Sequence, residues 1–527
     1  MAFRLNDLPY VRNCFATTVN KDGHNCVFKF SMNNKIAIIG AGFSGLSAAC
    51  SLAVLGHKVT VFEKNETTGG RARTFHKDGF MFDMGPSWYW MPDIFDAFFE
   101  KFGKKTSDYY TLERLDPSYR VFFKDAAPLD VPAELNAFKA VLNKIEPGAG
   151  QQLDQFLKEA QVKYEVGMNE FVWKPSLSFS EYLDVRLLQQ SFKLQLLSSM
   201  SKHIRKFFSD PKIVQLLEFP VLFLGAKPSK TPALYSMMNY ADIKLGTWYP
   251  QGGMVKIPEA MTKLAIELGV EIRTSSPVDK INISNGEVTG ITVNGITEEF
   301  DAVVGSADYH HIESALIDKK YRSYSDDYWE SRVMSPSSLL FYIGVDKKVD
   351  GLLHHNLFFD ENFEQHAEKI YDNPDWPDKP LFYVCCPSKT DATVAPEGKE
   401  NLFLLIPVAP GMSSDEKTRE ALLDICIQRI EKHTGSSFKN DIIYKRSYAH
   451  EEFISDYNSF KGNAYGLANT LTQTAFMKPR MKSKKVSNLF YTGQLTVPGP
   501  GVPPSLISGQ VVATEVTKYL QSQPVTS

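Results

Sequence analysis

The pattern of apolar and polar positions near the start of the chain predicts a strand, a helix and a second strand in close succession. Residues 36–39 form a short apolar run typical of a buried parallel strand, and an uncharged helix follows over residues 44–55. Gly56 ends that helix, and residues 58–62 alternate as a second strand. This order predicts a βαβ unit with parallel strands.

The same stretch supports one alternative interpretation. Residues 36–56 contain no charged side chain and approach the roughly 20 residues that cross a bilayer. A transmembrane helix is therefore possible on hydropathy alone. Three glycines at regular spacing, a helix breaker and the alternating strand favour the βαβ unit.

The glycines Gly40, Gly42 and Gly45 follow the first predicted strand with the spacing G-x-G-x-x-G, and Glu63 ends the second strand. Gly42 has no Cβ, so a pyrophosphate can approach its backbone, where the helix N-terminus favours an anion. A carboxylate at position 63 can accept hydrogen bonds from ribose hydroxyls and would repel a phosphorylated ribose. The segment predicts a site for the ADP half of a dinucleotide.

Two short motifs downstream predict further contacts with this cofactor. Gly69 and Gly70 let the backbone pass close to it, and Arg71 can pair with phosphate oxygens in a forked geometry. Asp83 and Gly85 belong to a strand end followed by a constrained turn. We expect this turn to face the flavin ring or to close the pocket over it.

The remaining pattern divides the chain into interleaved segments. The predicted fold class is α/β, with a Rossmann-like FAD-binding domain, a mixed α+β substrate domain and a helical lobe that faces a membrane. The expected segments are FAD-binding parts at residues 32–92, 245–311 and 481–522, the helical lobe at 93–244 and the substrate sheet at 312–480. Residues 1–31 are expected to be a disordered extension or a start-codon artefact.

Basic residues alternate with Leu, Met and Phe over residues 192–208, and the apolar stretch 219–225 follows. Together they could dock on a membrane surface, with the basic side chains against anionic headgroups. An ordinary core helix with a solvated basic face is an equally good interpretation.

The C-terminal part predicts a strand over residues 488–493, a rigid proline-rich loop over 498–504 and a helix over 505–520. The helix N-terminus could place partial positive charge against the flavin pyrimidine ring. We expect Gly493, Gly501 and Val502 to contact the cofactor here, and Val278 to contact it from the middle of the chain.

Composition supports a globular protein and gives no indication of nucleic acid as a partner. Lys and Arg total 58 against 61 Asp and Glu, a net charge of -3 that does not indicate nucleic acid binding. Aromatic residues make up 12% of the chain, which suits an apolar cavity or surface. The six cysteines lack metal-ligand spacing, so we predict no metal site, and a reducing cytoplasm is the expected compartment.

These motifs together resemble the bacterial phytoene desaturases, which are FAD-containing carotenoid desaturases of the amine-oxidase-like flavoprotein superfamily. The resemblance rests on the glycine motif, on residues 69–72, 82–86 and 252–254, and on residues 491–493 with 498–504. It covers residues 35–520 and implies non-covalent FAD, a long apolar polyene drawn from the membrane, and removal of hydrogen from saturated carbon pairs. The expected location is cytoplasmic, peripheral on the cell membrane.

The resemblance places Gly40, Gly42, Gly45, Glu63, Gly70 and Arg71 at the ADP and pyrophosphate, and Gly493 and Val502 near the ribityl chain and ring. Desaturation also needs a proton acceptor, for which Asp83 and Asp308 are the candidates. Either aspartate could instead serve only to cap a turn or bind the backbone.

Several alternatives stay open from the sequence. A carotenoid isomerase, a hydroxycarotenoid desaturase or a retinol saturase would carry similar motifs, and a non-catalytic FAD-binding protein is the alternative of another class. An amine oxidase would need an aromatic cage at the ring. The electron acceptor, expected to be oxygen or a quinone, the number of double bonds introduced and the oligomeric state are not determined.

Overall fold

A five-stranded parallel sheet forms the centre of the nucleotide-binding half in the computed structural model, which describes residues 17–19, 25–27, 33–178, 181, 198–470 and 472–523. In spatial order its strands are Glu271–Arg273, Lys58–Phe62, Lys35–Ile39, Ala302–Gly305 and Leu489–Tyr491. All neighbouring pairs are parallel. The predicted βαβ unit is therefore present, and its first strand lies at the middle of the sheet.

The helix Phe43–Ala53 connects the two central strands and is covered in turn by the C-terminal helix Val502–Ser522. The two helices pack at close range: the Ser47 hydroxyl donates to the Leu506 carbonyl at 2.6 Å. Residues 36–56 thus form a strand, a turn and a packed helix. No helix among the described residues is both long and apolar enough to cross a bilayer.

A seven-stranded mixed sheet forms the second half. In spatial order its strands are Ile442–Tyr448, Ser337–Val345, Glu400–Val408, Phe382–Cys385, His355–Phe359, Tyr119–Phe123 and Leu129–Val131. Only the pair His355–Phe359 and Tyr119–Phe123 is parallel. The last two strands come from residues 93–244, which the hydrophobic pattern predicted to be mostly helical. These strands are short, so their alternation of apolar and polar positions is a weak signal, and they form by pairing with a strand that is distant in the sequence.

Smaller sheets complete the strand inventory. They are Val278–Ser284 with Glu287–Val293 and Ile296–Glu299, Thr74–Lys77 with Phe80–Asp83, Leu112–Arg114 with Trp248–Pro250, and Thr17–Val19 with Asn25–Val27. The two turns predicted at Asn285-Gly286 and Asn294-Gly295 are confirmed, since φ is positive at all four residues. Such angles are typical of the tight hairpin turns that these dipeptides favour.

The longer helices lie mainly in the helical lobe and around the sheets. They are Pro92–Glu100, Leu135–Ile145, Ala149–Val166, Pro211–Glu218, Lys256–Glu267, Phe363–Tyr371, Glu416–Thr434 and His450–Tyr457. Shorter helices include Met200–Ile204, Met237–Tyr240 and Asp326–Glu330. The helical lobe contributes Met238 to the wall of the apolar cavity described below.

Two predicted segments fall partly outside the described residues. Of residues 1–31, only the short hairpin of Thr17–Val19 and Asn25–Val27 is described. Of residues 192–208, the first six lie outside the described range, and His203 and Phe208 of the remainder are buried. Phe219 and Val221 are also buried in the core. Contact between this region and a membrane stays a prediction.

Candidate active site

A cavity of about 560 Å³ opens at the carboxyl ends of the parallel strands, the position at which open α/β sheets bind their ligands. Its wall includes eight of the residues predicted to bind the cofactor. They are Gly40, Gly42, Glu63, Gly69, Gly70, Arg71, Val278 and Gly493. These positions are far apart in the sequence. Gly40, Glu63 and Gly493 meet because each comes just after a strand of the parallel sheet, and the other positions reach the cavity from neighbouring loops and a smaller sheet. We call this space the dinucleotide cavity.

The three motif glycines have different surroundings. A Cβ added at Gly45 would lie 2.1 Å from the Gly40 carbonyl oxygen, so the helix can approach the strand only because residue 45 has no side chain. A Cβ at Gly42 would have the Cα of Gly70, at 4.0 Å, as its nearest neighbour. Gly42 therefore borders open space in the cavity, whereas Gly45 lies behind it and lines neither large cavity.

The N-terminus of the helix Phe43–Ala53 borders the dinucleotide cavity. Gly42 caps the helix without any side-chain hydrogen bond, and its first turn contains no acidic residue. Glu63 is buried across from it, and its carboxylate accepts from the N–H of Ala41 at 2.8 Å and of Asn65 at 2.9 Å. This arrangement suits a phosphate at the helix and a ribose at the carboxylate.

Arg71 stands where the dinucleotide cavity meets a second cavity, and it lines both. Its guanidinium lies over the Tyr457 ring and donates to the Ser459 hydroxyl at 3.1 Å and to the Asn463 carbonyl at 3.3 Å. Its buried Nε has no partner among the described residues. That orphaned donor points to a missing acceptor at the junction, as an anionic or carbonyl-bearing cofactor would provide.

The second cavity has a volume of about 270 Å³ and is lined mainly by apolar and aromatic side chains. Met84, Trp88, Leu340, Phe403 and Leu405 form much of its wall. Among the described residues that line it, Arg71 is the only one with a charged side chain. We call this space the apolar cavity.

A further apolar space of about 70 Å³ shares Tyr383, Leu405 and Tyr465 with the apolar cavity and reaches Phe363 and Ile370. The three spaces therefore adjoin one another through shared wall residues, in the order dinucleotide cavity, apolar cavity and smaller apolar space.

Three more predicted cofactor residues, Gly85, Gly501 and Val502, line the apolar cavity. The C-terminal helix begins at Val502, three residues earlier than predicted, with prolines in its first turn. Proline is accepted there because the first helical N–H groups have no partner within the helix. The helix N-terminus thus reaches the cavity wall itself.

The two candidate bases both lie outside the apolar cavity, as far as the described residues define its wall. Asp83 accepts from the N–H of Met254 at 2.7 Å and of Val255 at 3.1 Å, and burial raises its pKa to about 7. Asp308 lines the dinucleotide cavity and accepts from two backbone N–H groups, and burial raises its pKa to about 6. Both carboxylates hold loops in place; a role in proton transfer stays a prediction.

Sequence reasoning did not identify the aromatic residues that shape the apolar cavity. Tyr383 comes from one strand of the seven-stranded sheet, and Tyr457 from the end of a helix. Trp88 stacks on the buried His355 ring, with 4.1 Å between ring centroids. Trp88 belongs to an aromatic run that is visible in the sequence, but the other two carry no local signal because only strand pairing and packing bring them to the cavity.

The joined cavities fit FAD. The helix N-terminus and the glycine turn would hold the pyrophosphate, and Glu63 would hold the adenosine ribose. Arg71 would lie near the middle of the molecule, and the start of the C-terminal helix near the ring. A polar pocket continuing into an apolar one matches the two ends of the cofactor.

Comparison with known proteins identifies the family. The family model described as "Flavin containing amine oxidoreductase" matches residues 43–517. A carotenoid 3,4-desaturase of Haloarcula japonica is 41% identical over 91% of this chain and 97% of its own length. A zeta-carotene-forming phytoene desaturase of Myxococcus xanthus is 32% identical over 94% of this chain and 96% of its own. The resemblance to carotenoid desaturases is therefore confirmed.

Solved structures agree on the fold. An oxidoreductase from Methanosarcina mazei has a TM-score of 0.58 at 19% identity, covering 92% of this chain and 100% of the other. A putrescine oxidase has a TM-score of 0.57 at 12% identity, covering 92% and 99%. At these identities the likeness shows the fold alone, and it confirms the predicted Rossmann-like flavoprotein class. The chain therefore belongs to the flavin-containing amine oxidoreductase family and is an FAD-dependent oxidoreductase.

Proposed function

We propose that this chain is an FAD-dependent desaturase that introduces conjugated double bonds into phytoene or a related carotenoid. The observation that carries the proposal is that the dinucleotide cavity shares wall residues with the apolar cavity, which in turn shares wall residues with the smaller apolar space. Together the three spaces would form one passage. A flexible hydrocarbon fits such a passage. The desaturase names of the relatives support the same substrate class.

The charge distribution separates this proposal from amine oxidation. A protonated amine needs an acceptor or a counter-charge when it leaves water, and Arg71 is the only charged residue among the described residues of the apolar wall. A cation there would be repelled. An uncharged polyene requires no polar partner and is bound by shape and burial alone.

The main contribution of the apolar wall to catalysis would be to position the polyene. FAD, when bound, supplies the hydride acceptor for the reaction. The aromatic side chains exclude water and hold a saturated carbon pair of the polyene against the cofactor region. Asp83 and Asp308 remain the proposed proton acceptors; neither lines the apolar cavity, whereas Tyr383 and Tyr457 do.

The solubility of the proposed substrate also bears on the location of the protein. A carotenoid precursor dissolves in lipid, so we propose that the chain binds peripherally to the cytoplasmic face of the cell membrane and draws its substrate from there. The predicted reducing compartment supports this position. Flotation of the purified protein with liposomes tests it, and recovery of all protein in the aqueous fraction would contradict it.

Anaerobic incubation of FAD-loaded protein with liposomes containing phytoene tests the function. Before any acceptor is added, we expect bleaching of the flavin and a product two hydrogens lighter, with at most one new double bond per flavin. Coloured products, two hydrogens lighter for each further double bond, are expected only once an electron acceptor re-oxidises the flavin. Oxygen or a quinone is then admitted to see which restores the oxidised flavin. A parallel arm with a hydroxylated carotenoid covers the alternative of a hydroxycarotenoid desaturase.

Each alternative gives a different result in the same experiment. An isomerase would change the retention time of the product but leave its mass the same. A non-catalytic FAD-binding protein would retain yellow flavin with either substrate. Unchanged carotenoid and oxidised flavin in both arms would refute the desaturase proposal.

A further inference from the structure

Three buried side chains with metal-binding atoms meet at the start of the strand His355–Phe359. They are His354, His355 and Cys385, and the atoms they offer lie within 4.8 Å of one another. His355 and Cys385 face each other across two antiparallel strands, and His354 directly precedes the first of them. The cysteine spacing in the sequence gave no sign of a site because the ligands come from two different strands.

Each imidazole is held through one nitrogen and leaves the other available. His354 Nδ1 lies 2.8 Å from the Thr390 hydroxyl, and His355 Nδ1 lies 2.6 Å from the Tyr383 hydroxyl. Nε2 of both rings is buried without a hydrogen-bond partner in the described part of the chain. Buried polar atoms of this kind require an explanation, and metal-ligating histidines are oriented by a hydrogen bond at the second nitrogen.

Neutral imidazoles favour ligation, whereas the buried thiol must lose its proton before it can bind a metal ion. Burial lowers the pKa of His354 to about 3 and that of His355 well below its ordinary value, so both rings are neutral at physiological pH. Burial raises the pKa of the Cys385 thiol to about 12. A bound metal would replace the thiol proton, which passes to solvent, and the resulting thiolate would offset one of its positive charges.

The surroundings provide room for a fourth ligand. A cavity of about 20 Å³ beside Cys385 and His354 is also lined by Asp83 and Ser87. One water needs roughly 10–15 Å³, and a tetrahedral zinc centre with three protein ligands takes a water as the fourth. Donors around such a centre lie roughly 3.5 Å apart, so binding would draw the three side chains together by about 1 Å.

We propose that His354, His355 and Cys385 form a binding site for a borderline-soft divalent metal ion of the zinc type, with a water as the fourth ligand. Two imidazoles and one thiolate are the donors that Zn²⁺ prefers. The ion would lie behind the apolar cavity, where His355 holds the Tyr383 hydroxyl and the Trp88 ring. It would therefore fix two aromatic residues of the cavity wall.

Metal analysis of the FAD-loaded protein tests the proposal without any substrate. After incubation with Zn²⁺ and gel filtration, we expect about one zinc per chain. Cys385→Ser is expected to lower the retained zinc by about tenfold or more. Cys386→Ser is the matched control, since Cys386 is equally buried but packs into the separate core on the other side of the sheet. Less than about 0.1 zinc per wild-type chain, or equal zinc in both variants, would overturn the proposal.

Cobalt binding gives a second measurement that does not depend on the stability of the cysteine variant. We expect Co²⁺ to add a thiolate-to-cobalt charge-transfer band to the wild-type difference spectrum. We expect this band to be lost in the two single variants His354→Gln and Cys385→Ser. A wild-type difference spectrum without this band would refute the site even if Cys385→Ser does not fold. The result is independent of whether the chain desaturates a carotenoid.

Discussion

The guanidinium carbon of Arg71 lies 5.1 Å from the centroid of the Tyr457 ring, at the boundary between the dinucleotide cavity and the apolar cavity. Arg73 contacts the same ring at 5.3 Å, but it is paired with Asp456 at 2.9 Å. The two arginines therefore share an aromatic partner and differ in what else they face. Arg71 faces the space that the cofactor would fill.

This difference predicts that Arg71→Lys weakens FAD binding and Arg73→Lys does not. Lysine keeps the charge but loses the planar fork and the stacking on the ring. We expect the Kd for FAD to rise about tenfold, which corresponds to about 1.4 kcal/mol. Fluorescence titration of the flavin-free protein measures it. Equal Kd values for both variants would place the cofactor contact elsewhere.

The motif glycines predict two distinguishable defects. Gly42→Ala adds a methyl group that has room in the protein but would occupy the place of the pyrophosphate. We expect normal folding, with a loss of helix-cap stability of under about 1 kcal/mol, and strongly reduced flavin content.

Gly45→Ala would force the added methyl group against the Gly40 carbonyl at 2.1 Å. We therefore expect lower thermal stability as well as lost flavin. Melting temperatures of the two flavin-free variants separate the loss of cofactor space from the loss of helix packing. Equal melting temperatures would contradict the packing role of Gly45.

The nucleotide half of the site could be predicted because its signal is local. Gly40, Gly42 and Gly45 lie within six residues of one another, and Glu63 follows at the end of the next strand. The physical constraints on a tight turn, a close backbone approach and a helix N-terminus act within that one segment. The structure places Gly40, Gly42 and Glu63 around one cavity, with Gly45 packed behind them.

The residues that form the wall of the apolar cavity could not be predicted from the sequence, and the reason is physical. Leu340, Tyr383 and Leu405 lie on three neighbouring strands, and only the register of the seven-stranded sheet brings them to one wall. Strand pairing over such separations leaves no periodic trace in the sequence. The same holds for the His354, His355 and Cys385 cluster. The early start of the C-terminal helix was missed because its prolines suggested a loop.

The buried Asp83 predicts a pH dependence of stability with a definite sign. Burial raises its pKa from 3.8 in the unfolded chain to about 7 in the folded one. Between these values the folded chain holds a proton that the unfolded chain has released, so this contribution to stability is full below about pH 4 and is lost as the pH rises through 7. We expect Asp83→Asn to flatten the decline in melting temperature between about pH 4 and pH 7.

Asp391 is the matched control for this measurement. It accepts from the Gly252 N–H close to the loop that Asp83 binds, but its pKa is lowered, because its hydrogen bonds outweigh burial. The contribution of the Asp391 carboxylate to folding stability is present above its unfolded pKa and is lost only in acid. Asp391→Asn should therefore keep the wild-type decline between about pH 4 and pH 7. An unchanged slope in Asp83→Asn would show that Asp83 does not hold the proton.

The wall shared by the two apolar spaces predicts a variant that blocks the substrate and spares the cofactor. Leu405 lines the apolar cavity and the smaller space beyond it but not the dinucleotide cavity. Leu405→Trp would fill the passage, so we expect normal flavin content and a desaturation rate lower by about tenfold or more, because the polyene could no longer reach its position. Leu405→Met keeps the volume and should retain activity. Full activity in Leu405→Trp would mean that the polyene takes another path to the flavin.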